Sequence, residues 1–331
     1  MEESWDFLLN EFRRLGGIAD NVIQKEGECG RGIFSVDPSQ KSRIFTPTKL
    51  LVKKDDIFLE NNKLRIKNDK EYDQEIRNFF NFYQDNFSWG CGGRETTELF
   101  EKGLSLFNSN LKELIKKYAL VDIDLRHEEE WGSVLKTQFL NARGVKFGNN
   151  DVIAPIWELV NHKVRSLTFI SNNKGIGTPK YLPTNSEIRF SYNDMSSLSR
   201  FFLYGFYAEE TIVFSIPCSF KIEDQDTYIL CQGKSLKDDS MKIKRSENAI
   251  ILEGLPIADL NNPRLPYDYF DEILRRIGYD YTSKDLLSKI LKFNISIREK
   301  IINESDFIDN EVSRILGKVM HYEISLISSH D

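Results

Sequence analysis

Hydrophobic positions follow two different periods along this chain. In the segment EYDQEIRNFFNFYQDNF, apolar side chains recur every three or four positions, which is the spacing of an amphipathic helix. The residues on this predicted helical face are Tyr72, Ile76, Phe79, Phe80 and Tyr83. Other stretches contain short runs such as GIFSV and RIFTP, bounded by Gly or Pro, which are typical of β-strands. The pattern therefore predicts an α+β protein.

The order of the two patterns predicts how the chain is organised. A short helix at residues 5–14 precedes several strand-like runs, and the helical spacing then dominates as far as residue 140. Strand-like runs such as LTFIS and EIRFSY follow, and the last 65 or so residues are again helical in pattern. We predict a β-rich core split by a helical insertion, with a mostly helical C-terminal lobe. The predicted parts are residues 1–64 (first half of the core), 65–140 (insertion), 141–210 (second half of the core) and 211–331 (C-terminal lobe).

Composition narrows the classes of function. The chain has 331 residues, of which 40% are hydrophobic and 29% are charged, and its formal net charge is −6. This balance is typical of a globular protein long enough to form two packed units. Nucleic-acid binding usually requires a basic surplus, so we expect no direct contact with nucleic acid.

Cysteine usage and the apolar runs bear on metal binding and location. The cysteines are Cys29, Cys91, Cys218 and Cys231, and no two form a C-x-x-C pair, so we expect no zinc site. No apolar run approaches the roughly 20 residues of a membrane span. The N-terminus, MEESWDF, is acidic where a signal peptide is basic. We expect a cytoplasmic protein without membrane association, and the nucleus remains open as a location.

Three segments carry polar residues that chemistry could use. CGRGIFS has a Gly-x-Gly pattern before a strand-like run; this is a tight turn, or a place where backbone approaches a ligand closely. APIWELVNHKV ends an apolar run with Asn161 and His162, which form either a helix end at the surface or a buried polar pair. SEIRFSYND…FFLYGFY contains Tyr192 and Tyr204, which either belong to the core or frame a pocket.

Taken in this order, the segments resemble those of SET-domain protein methyltransferases. The likeness is to the subgroup that includes the Rubisco large-subunit lysine methyltransferase and the actin histidine methyltransferase. GRGIFS resembles the family's Gly-x-Gly loop, APIWELVNH its Asn-His motif, and NARGVKF the arginine-bearing segment after the insertion. Glu158, Lys163 and Asn193 depart from the usual residues of the subgroup, and these departures concern substrate choice more than cofactor binding.

The resemblance implies a fold, a cofactor and a site. The fold is a SET core with a threaded, knot-like C-terminal segment, and the cofactor is S-adenosylmethionine. Tyr192 and Tyr204 would be catalytic and line the methyl passage. The cofactor-binding residues would be Gly30, Arg31, Gly32, Ile33, Arg143, Asn161, His162, Tyr192 and Phe206.

Individual roles follow from the same resemblance. Asn161 would bind the amino-acid end of the cofactor, and the backbone of His162 would contact the adenine. Arg143 would engage the cofactor's carboxylate, and Phe206 would offer an aromatic face near the adenine. No metal is implied.

The predicted activity is protein-lysine N-methylation by in-line methyl transfer to a deprotonated side-chain amine. Two alternatives stay open: protein-histidine N-methylation, and a catalytically silent SET fold that serves as a binding module. The sequence leaves open the protein substrate, the degree of methylation and the oligomeric state.

Overall fold

The computed structural model describes residues 2–119, 121, 130–179, 187–222, 227–233, 241–277 and 283–330. These residues form two compact units. Unit 1 comprises the described parts of Met1–Leu99 and Glu129–Asn193, and unit 2 those of Phe100–Glu128 and Asp194–Asp331. Two units agree with a chain that is long enough to form two packed bodies. The boundaries of the four predicted segments stay a prediction.

The described residues form both α-helices and β-sheets, so the prediction of a mixed α and β fold is confirmed. The helices of the described residues are α1 (Glu2–Arg14), α2 (Gln74–Phe87), α3 (Arg94–Ser105), α4 (Ser109–Tyr118), α5 (Trp131–Arg143), α6 (Ser197–Tyr204), α7 (Leu265–Ile277), α8 (Ser283–Ser305) and α9 (Glu311–Ser328). The strands are β1 (Ile18–Asp20), β2 (Val22–Gly27), β3 (Gly30–Ser35), β4 (Arg43–Pro47), β5 (Val52–Lys53), β6 (Ile57–Glu60), β7 (Lys63–Ile66), β8 (Val145–Phe147), β9 (Asn150–Ile153), β10 (Asn161–His162), β11 (Ile170–Asn172), β12 (Gly175–Gly177), β13 (Glu187–Phe190), β14 (Ile212–Phe214), β15 (Cys218–Lys221), β16 (Tyr228–Gln232), β17 (Lys242–Ser246), β18 (Ala249–Glu253) and β19 (Pro256–Asp259).

Small sheets make up the strand-rich part of unit 1. Their strand orders in the described residues are β1-β4-β12-β11, β10-β13-β3-β2, β5-β9-β8 and β6-β7. Helix α1 buries Leu8 and Phe12 against these sheets, and the Trp5 indole donates to the carbonyl of Val22 at 3.1 Å. Full burial of each such apolar side chain contributes about 1.5–3 kcal/mol.

The predicted helical face of α2 is correct in four of its five positions. Ile76, Phe79, Phe80 and Tyr83 are buried on one side of the helix. Tyr72 instead precedes the first residue of α2, and its hydroxyl donates to Asp56 Oδ2 at 3.0 Å. The periodicity thus located the buried face, while the helix begins two residues later than the apolar pattern does.

A Gly-rich segment connects α2 to α3. Trp89–Gly93 links α2 to α3 with non-helical backbone at Cys91 and at Gly92, whose φ is +86°. The Trp89 ring is buried and donates to the carbonyl of Asn62 at 2.8 Å. The connection is therefore anchored by packing, with the glycine providing the left-handed backbone.

Unit 2 combines two small sheets with helices α4 and α6–α9. The sheets have the orders β15-β16-β18-β17 and β14-β19 within the described residues, and β19 was absent from the sequence prediction. Helix α9 buries Leu316, Val319 and Met320, which pack with residues of α8. No helix among the residues described is both long enough and apolar enough to cross a membrane.

A buried ion pair connects the helices of unit 2. Arg298 and Glu323 are 1% and 0% exposed, and Arg298 Nη2 lies 2.8 Å from Glu323 Oε2. Glu323 Oε1 also accepts from the backbone N–H of Leu198 at 2.8 Å, at the start of α6. One carboxylate therefore holds α8 and α6 against α9.

We expect Glu323→Gln to lower the free energy of unfolding by about 3–5 kcal/mol, because it leaves the buried Arg298 cation without a counter-charge. Urea unfolding followed by circular dichroism measures this change. The matched control is Glu311→Gln, which removes an exposed partner of Arg314 and should change the free energy by about 0–1 kcal/mol. Equal losses in the two variants would contradict a special role for the buried pair.

Candidate active site

Three segments that are far apart in sequence lie side by side in one sheet of unit 1, here called the motif sheet (β10, β13, β3 and β2). The Asn-His strand β10 pairs in parallel with β13, with Asn161 opposite Arg189 and His162 opposite Phe190. Strand β13 pairs antiparallel with β3, which contains the Gly-x-Gly segment. Strand pairing thus brings the three predicted motif segments together.

The side chain of Asn161 is fixed by two acceptors. Its Nδ2 donates to Glu187 Oε1 at 2.8 Å and to the carbonyl of Arg31 at 3.3 Å. Because a carboxylate and a carbonyl only accept hydrogen bonds, the amide nitrogen must face both of them. Asn161 Oδ1 is therefore directed away from these two partners.

Gly32 is required by this contact. A Cβ built on Gly32 would lie 2.6 Å from Asn161 Nδ2 and 2.6 Å from Glu187 Oε1, closer than side chains approach one another. The sequence left open a tight turn or a close approach of the backbone to a ligand at this segment. The neighbours that the structure places there are two polar side chains of unit 1.

Glu187 is a site residue that the sequence analysis missed. Its side chain is 6% exposed and forms an ion pair with Arg189. This ion pair, with burial opposing it, raises the pKa of Arg189. The only sequence signal was a charged residue at the start of the apolar run EIRF, and its contact with Asn161 depends on the strand pairing.

The other residues of the Gly-x-Gly segment have their side chains engaged within unit 1. Gly30 has a φ of +80° at the hairpin turn between β2 and β3. The Arg31 guanidinium donates to the carbonyl of Cys91, and the Ile33 side chain is completely buried in the core. Contact of a cofactor with Arg31 or Ile33 would therefore use their backbone, and it stays a prediction.

His162 and Tyr192 contact each other at the end of the motif sheet. His162 is 9% exposed, and its Nδ1 accepts from the backbone N–H of Tyr192 at 3.3 Å. The two rings are 5.1 Å apart, and the Tyr192 hydroxyl donates to the carbonyl of Val160 at 2.6 Å. Of the two interpretations of the Asn-His pair, the structure supports the polar pair inside the fold, since both residues belong to a strand.

The predicted setting of Tyr192 is corrected in one respect. Strand β13 ends at Phe190, so Tyr192 lies two residues beyond the strand that it was expected to close. Its position is held instead by the two hydrogen bonds to His162 and Val160. The side chain is thus fixed by specific contacts at the strand end.

Arg143 faces a carboxylate of the chain itself. It is the last residue of α5, and its Nη1 donates to the backbone carbonyl of Glu158 at 3.0 Å. The buried Glu158 side chain accepts from Ser88 Oγ at 2.8 Å and from Gln84 Nε2 at 3.1 Å. Burial raises the pKa of Glu158, and the nearby Arg143 charge opposes that effect. Binding of a cofactor carboxylate by Arg143 stays a prediction.

Tyr204 and Phe206 belong to unit 2. Tyr204 is the last residue of α6, which ends at Gly205 with a φ of +78°. The Arg200 guanidinium lies 5.1 Å from the centre of the Tyr204 ring, and the rings of Tyr204 and Phe206 are 5.8 Å apart. Arg200 is itself buried and paired with Glu210 at 2.7 Å. That these two aromatic residues join Asn161 and Tyr192 in one site stays a prediction.

Among the described residues, no group of three or more His, Cys, Asp or Glu side chains is arranged to hold a metal ion. The cysteines are all free thiols.

The sequence matches no protein-family model and no curated protein sequence. The fold is similar to solved structures of LSMT. The crystal structure of the SET domain of LSMT bound to lysine and AdoHcy is 11% identical, covering 100% of this chain and 90% of that chain with a TM-score of 0.48. The structure of Rubisco LSMT bound to sinefungin and monomethyllysine is 13% identical, covering 98% of this chain and 90% of that chain with a TM-score of 0.47. The predicted resemblance is confirmed as a likeness to these structures.

We expect the stability of the protein to depend on the protonation of Glu158. Since its pKa is raised in the folded protein, its protonated form stabilises the fold. That contribution is fully present below the ordinary glutamate pKa of 4.5 and is lost as the pH rises through the raised folded pKa. The glutamine in the Glu158→Gln variant cannot ionise. The melting temperature of this variant should therefore increase relative to that of the wild type as the pH rises above 4.5.

Thermal unfolding of both proteins from about pH 4 to pH 8 measures this difference. A difference in melting temperature that stays constant over the range would show that Glu158 titrates as it does in the unfolded chain.

Proposed function

We propose that this chain is an S-adenosylmethionine-dependent protein N-methyltransferase of the SET type, with a lysine side chain as its acceptor. The observation that supports this most is the motif sheet, where β13 lies between β3, which contains Gly32, and β10, which contains Asn161 and His162. Tyr192 follows directly and contacts His162. The motif resemblance was the only ground for expecting these four residues in one site.

The residues present fit the amino-acid end of the proposed cofactor. An ammonium group needs hydrogen-bond acceptors, and Asn161 Oδ1 is an amide oxygen directed away from the acceptors that fix Nδ2. The backbone of Gly30–Ile33 lies next to this amide, and Arg143 would provide the charge for a carboxylate. The backbone of His162 and the ring of Phe206 would hold the adenine. The bound cofactor would supply a methyl group carried on a positively charged sulfur.

Tyr192 would orient the reacting groups through its oxygen. A phenol has one proton to donate, and that proton is directed to the carbonyl of Val160. The phenolic oxygen keeps the capacity to accept, and a hydroxyl that donates becomes a better acceptor. Weak contacts from polarised methyl hydrogens, and a hydrogen bond from the incoming nitrogen, would both use this oxygen. Tyr204 would line the same passage in this proposal.

A lysine acceptor must reach the site as a neutral amine. Loss of water and a nearby positive charge each disfavour the ammonium form and lower the pKa of a lysine. Correct alignment of the reacting groups can supply roughly 7–11 kcal/mol of the barrier reduction. The chain's contribution is therefore mainly positional, through the fixed side chains of Asn161 and Tyr192.

The proposal includes the remaining architectural predictions. Residues 141–210 would contain the threaded, knot-like segment, with 65–140 as the insertion that splits the core. The C-terminal lobe, residues 211–331, would recruit the protein substrate. The protein would act in the cytoplasm or the nucleus.

The deciding experiment incubates the purified protein with methyl-labelled S-adenosylmethionine and a lysate of its source cells. A labelled protein band is expected, and mass spectrometry of that band identifies the substrate and shows whether lysine or histidine carries the methyl group. Methylhistidine would replace lysine as the acceptor in the proposal. Cofactor binding without any transfer would favour a silent SET fold that acts as a binding module.

We expect Tyr192→Phe to lower kcat at least about tenfold, equivalent to about 1.4 kcal/mol, because the oxygen acts at the transition state. Loss of the hydrogen bond to Val160 should also reduce stability by about 1 kcal/mol. Affinity for S-adenosylhomocysteine should change little. Steady-state kinetics, urea unfolding and calorimetry measure the three quantities.

The matched control is Tyr72→Phe, which removes a tyrosine hydroxyl that is hydrogen-bonded to Asp56 in the same unit. It should lose similar stability and keep the wild-type kcat. A folded Tyr192→Phe protein with unchanged kcat would exclude Tyr192 from the mechanism. Tyr204 would then be the candidate catalytic tyrosine.

A further inference from the structure

We propose that Glu187 is a positioning residue for cofactor binding: it fixes the amide of Asn161 so that Oδ1 is presented to the ammonium group of the cofactor's amino-acid end. This inference rests on the function proposed above. It assigns a role to a residue of the segment SEIRFSYND that was not among the predicted site residues.

The first step is the direction of the amide. An asparagine side chain can rotate to exchange its oxygen and nitrogen, and only the surroundings determine which atom faces which way. Here Nδ2 faces Glu187 Oε1 and the carbonyl of Arg31, at 2.8 Å and 3.3 Å. The exchanged orientation would place Oδ1 against two other oxygens that cannot donate. The carboxylate of Glu187 is the closer of the two acceptors, so it has the larger influence on the orientation.

The second step is that Glu187 itself cannot easily move. Its side chain is 6% exposed, and the Arg189 guanidinium pairs with Oε2 while Asn161 uses Oε1. Gly32 leaves the space that this arrangement occupies, since a Cβ there would lie 2.6 Å from both partners of the contact. Arg189 therefore holds the carboxylate, and the carboxylate holds the amide.

The third step separates this role from direct binding. Both carboxylate oxygens of Glu187 already have a partner in unit 1. A residue that acts through Asn161 should matter only for a ligand with an ammonium group, and only while Asn161 is present. These two conditions distinguish positioning from a general effect on the fold and from attraction of a cation by the negative charge.

The experiment compares the binding of two ligands by isothermal titration calorimetry. S-adenosylhomocysteine carries the amino-acid end, whereas 5′-methylthioadenosine has the adenosine and sulfur without it. We expect Glu187→Met to weaken S-adenosylhomocysteine binding about tenfold or more and to leave methylthioadenosine binding unchanged. Glu187→Gln keeps one oxygen that can accept from Asn161 Nδ2, so it should weaken S-adenosylhomocysteine binding less than Glu187→Met does and leave methylthioadenosine binding unchanged.

A double-mutant cycle tests the dependence on Asn161. Asn161→Ala should weaken S-adenosylhomocysteine binding by itself, and adding Glu187→Met to it should have little further effect. If Glu187→Met does not fold, Glu187→Ala takes its place in every comparison, with its smaller side chain in the same position.

Each other outcome overturns the inference in a distinct way. Equal weakening of both ligands by Glu187→Met would show a purely structural role. Equal weakening of S-adenosylhomocysteine binding by the Gln and Met variants would show that charge, and not the acceptor, is what matters. A full further loss in the Asn161→Ala background would show direct binding. Failure of the wild-type protein to bind either ligand would overturn the proposed function as well, and so differs from the first three results.

Discussion

The parallel pairing of β10 with β13 is the constraint on which the candidate site depends. It consists of two residue pairs, Asn161 with Arg189 and His162 with Phe190. A shift of one residue would turn Asn161 to the other face of the sheet, away from Glu187. Two side-chain contacts fix the register from either end: the Asn161 amide on Glu187 and the Tyr192 N–H on His162. A strand pair this short is thus specified by polar contacts more than by its own backbone ladder.

The path of the chain into β10 is fixed by a buried carboxylate and a strained residue. Ile156 has a φ of +66°, which is rare for a β-branched side chain and persists only where the surroundings enforce it. Its side chain is fully buried, and Glu158 two residues later binds Ser88 and Gln84 at the end of α2. An isolated buried charge is costly, and these hydrogen bonds together with Arg143 offset that cost. Helices α2 and α5 therefore help to determine where Asn161 lies.

Sequence periodicity predicted the regular parts of the fold for physical reasons that are visible in α2. Its buried positions repeat with the helical period, so Ile76 and Phe79 were placed on the correct face. Tyr72 fits the same period but lies outside the helix, because its hydroxyl is bound to Asp56. Strand β19 was missed because it begins at Pro256, a residue that usually interrupts strands. The four-residue strand offers too few positions for alternation to be detected.

The hydrophobic period of the sequence predicted less of the site than of the fold. Strand β10 has only two residues, so no pattern could have identified it as a strand. Asn161 and His162 were noticed as a polar pair that ends an apolar run, and only the motif resemblance implied their roles. Glu187 was not selected because its importance comes from a contact between strands, 26 residues away from Asn161 in the sequence. The placement of Tyr192 was predicted to follow from a strand, and it follows instead from hydrogen bonds. In each case the missing information was which strand lies next to which.

The hydrogen bond from Tyr192 to Val160 limits the role that Tyr192 can have in the proposed methyl transfer. A tyrosine that acted as a base would first have to give up its proton, and the resulting phenolate would face the carbonyl oxygen of Val160 at the distance of the present bond, 2.6 Å. Two facing acceptors repel, so the present contact with Val160 suits the neutral phenol. In the proposed reaction, the amine would therefore lose its proton to another acceptor, such as water, before methyl transfer. The chain's part in that reaction would be to hold groups in fixed directions, as Glu187 does for the amide nitrogen of Asn161 and Val160 does for the hydroxyl of Tyr192.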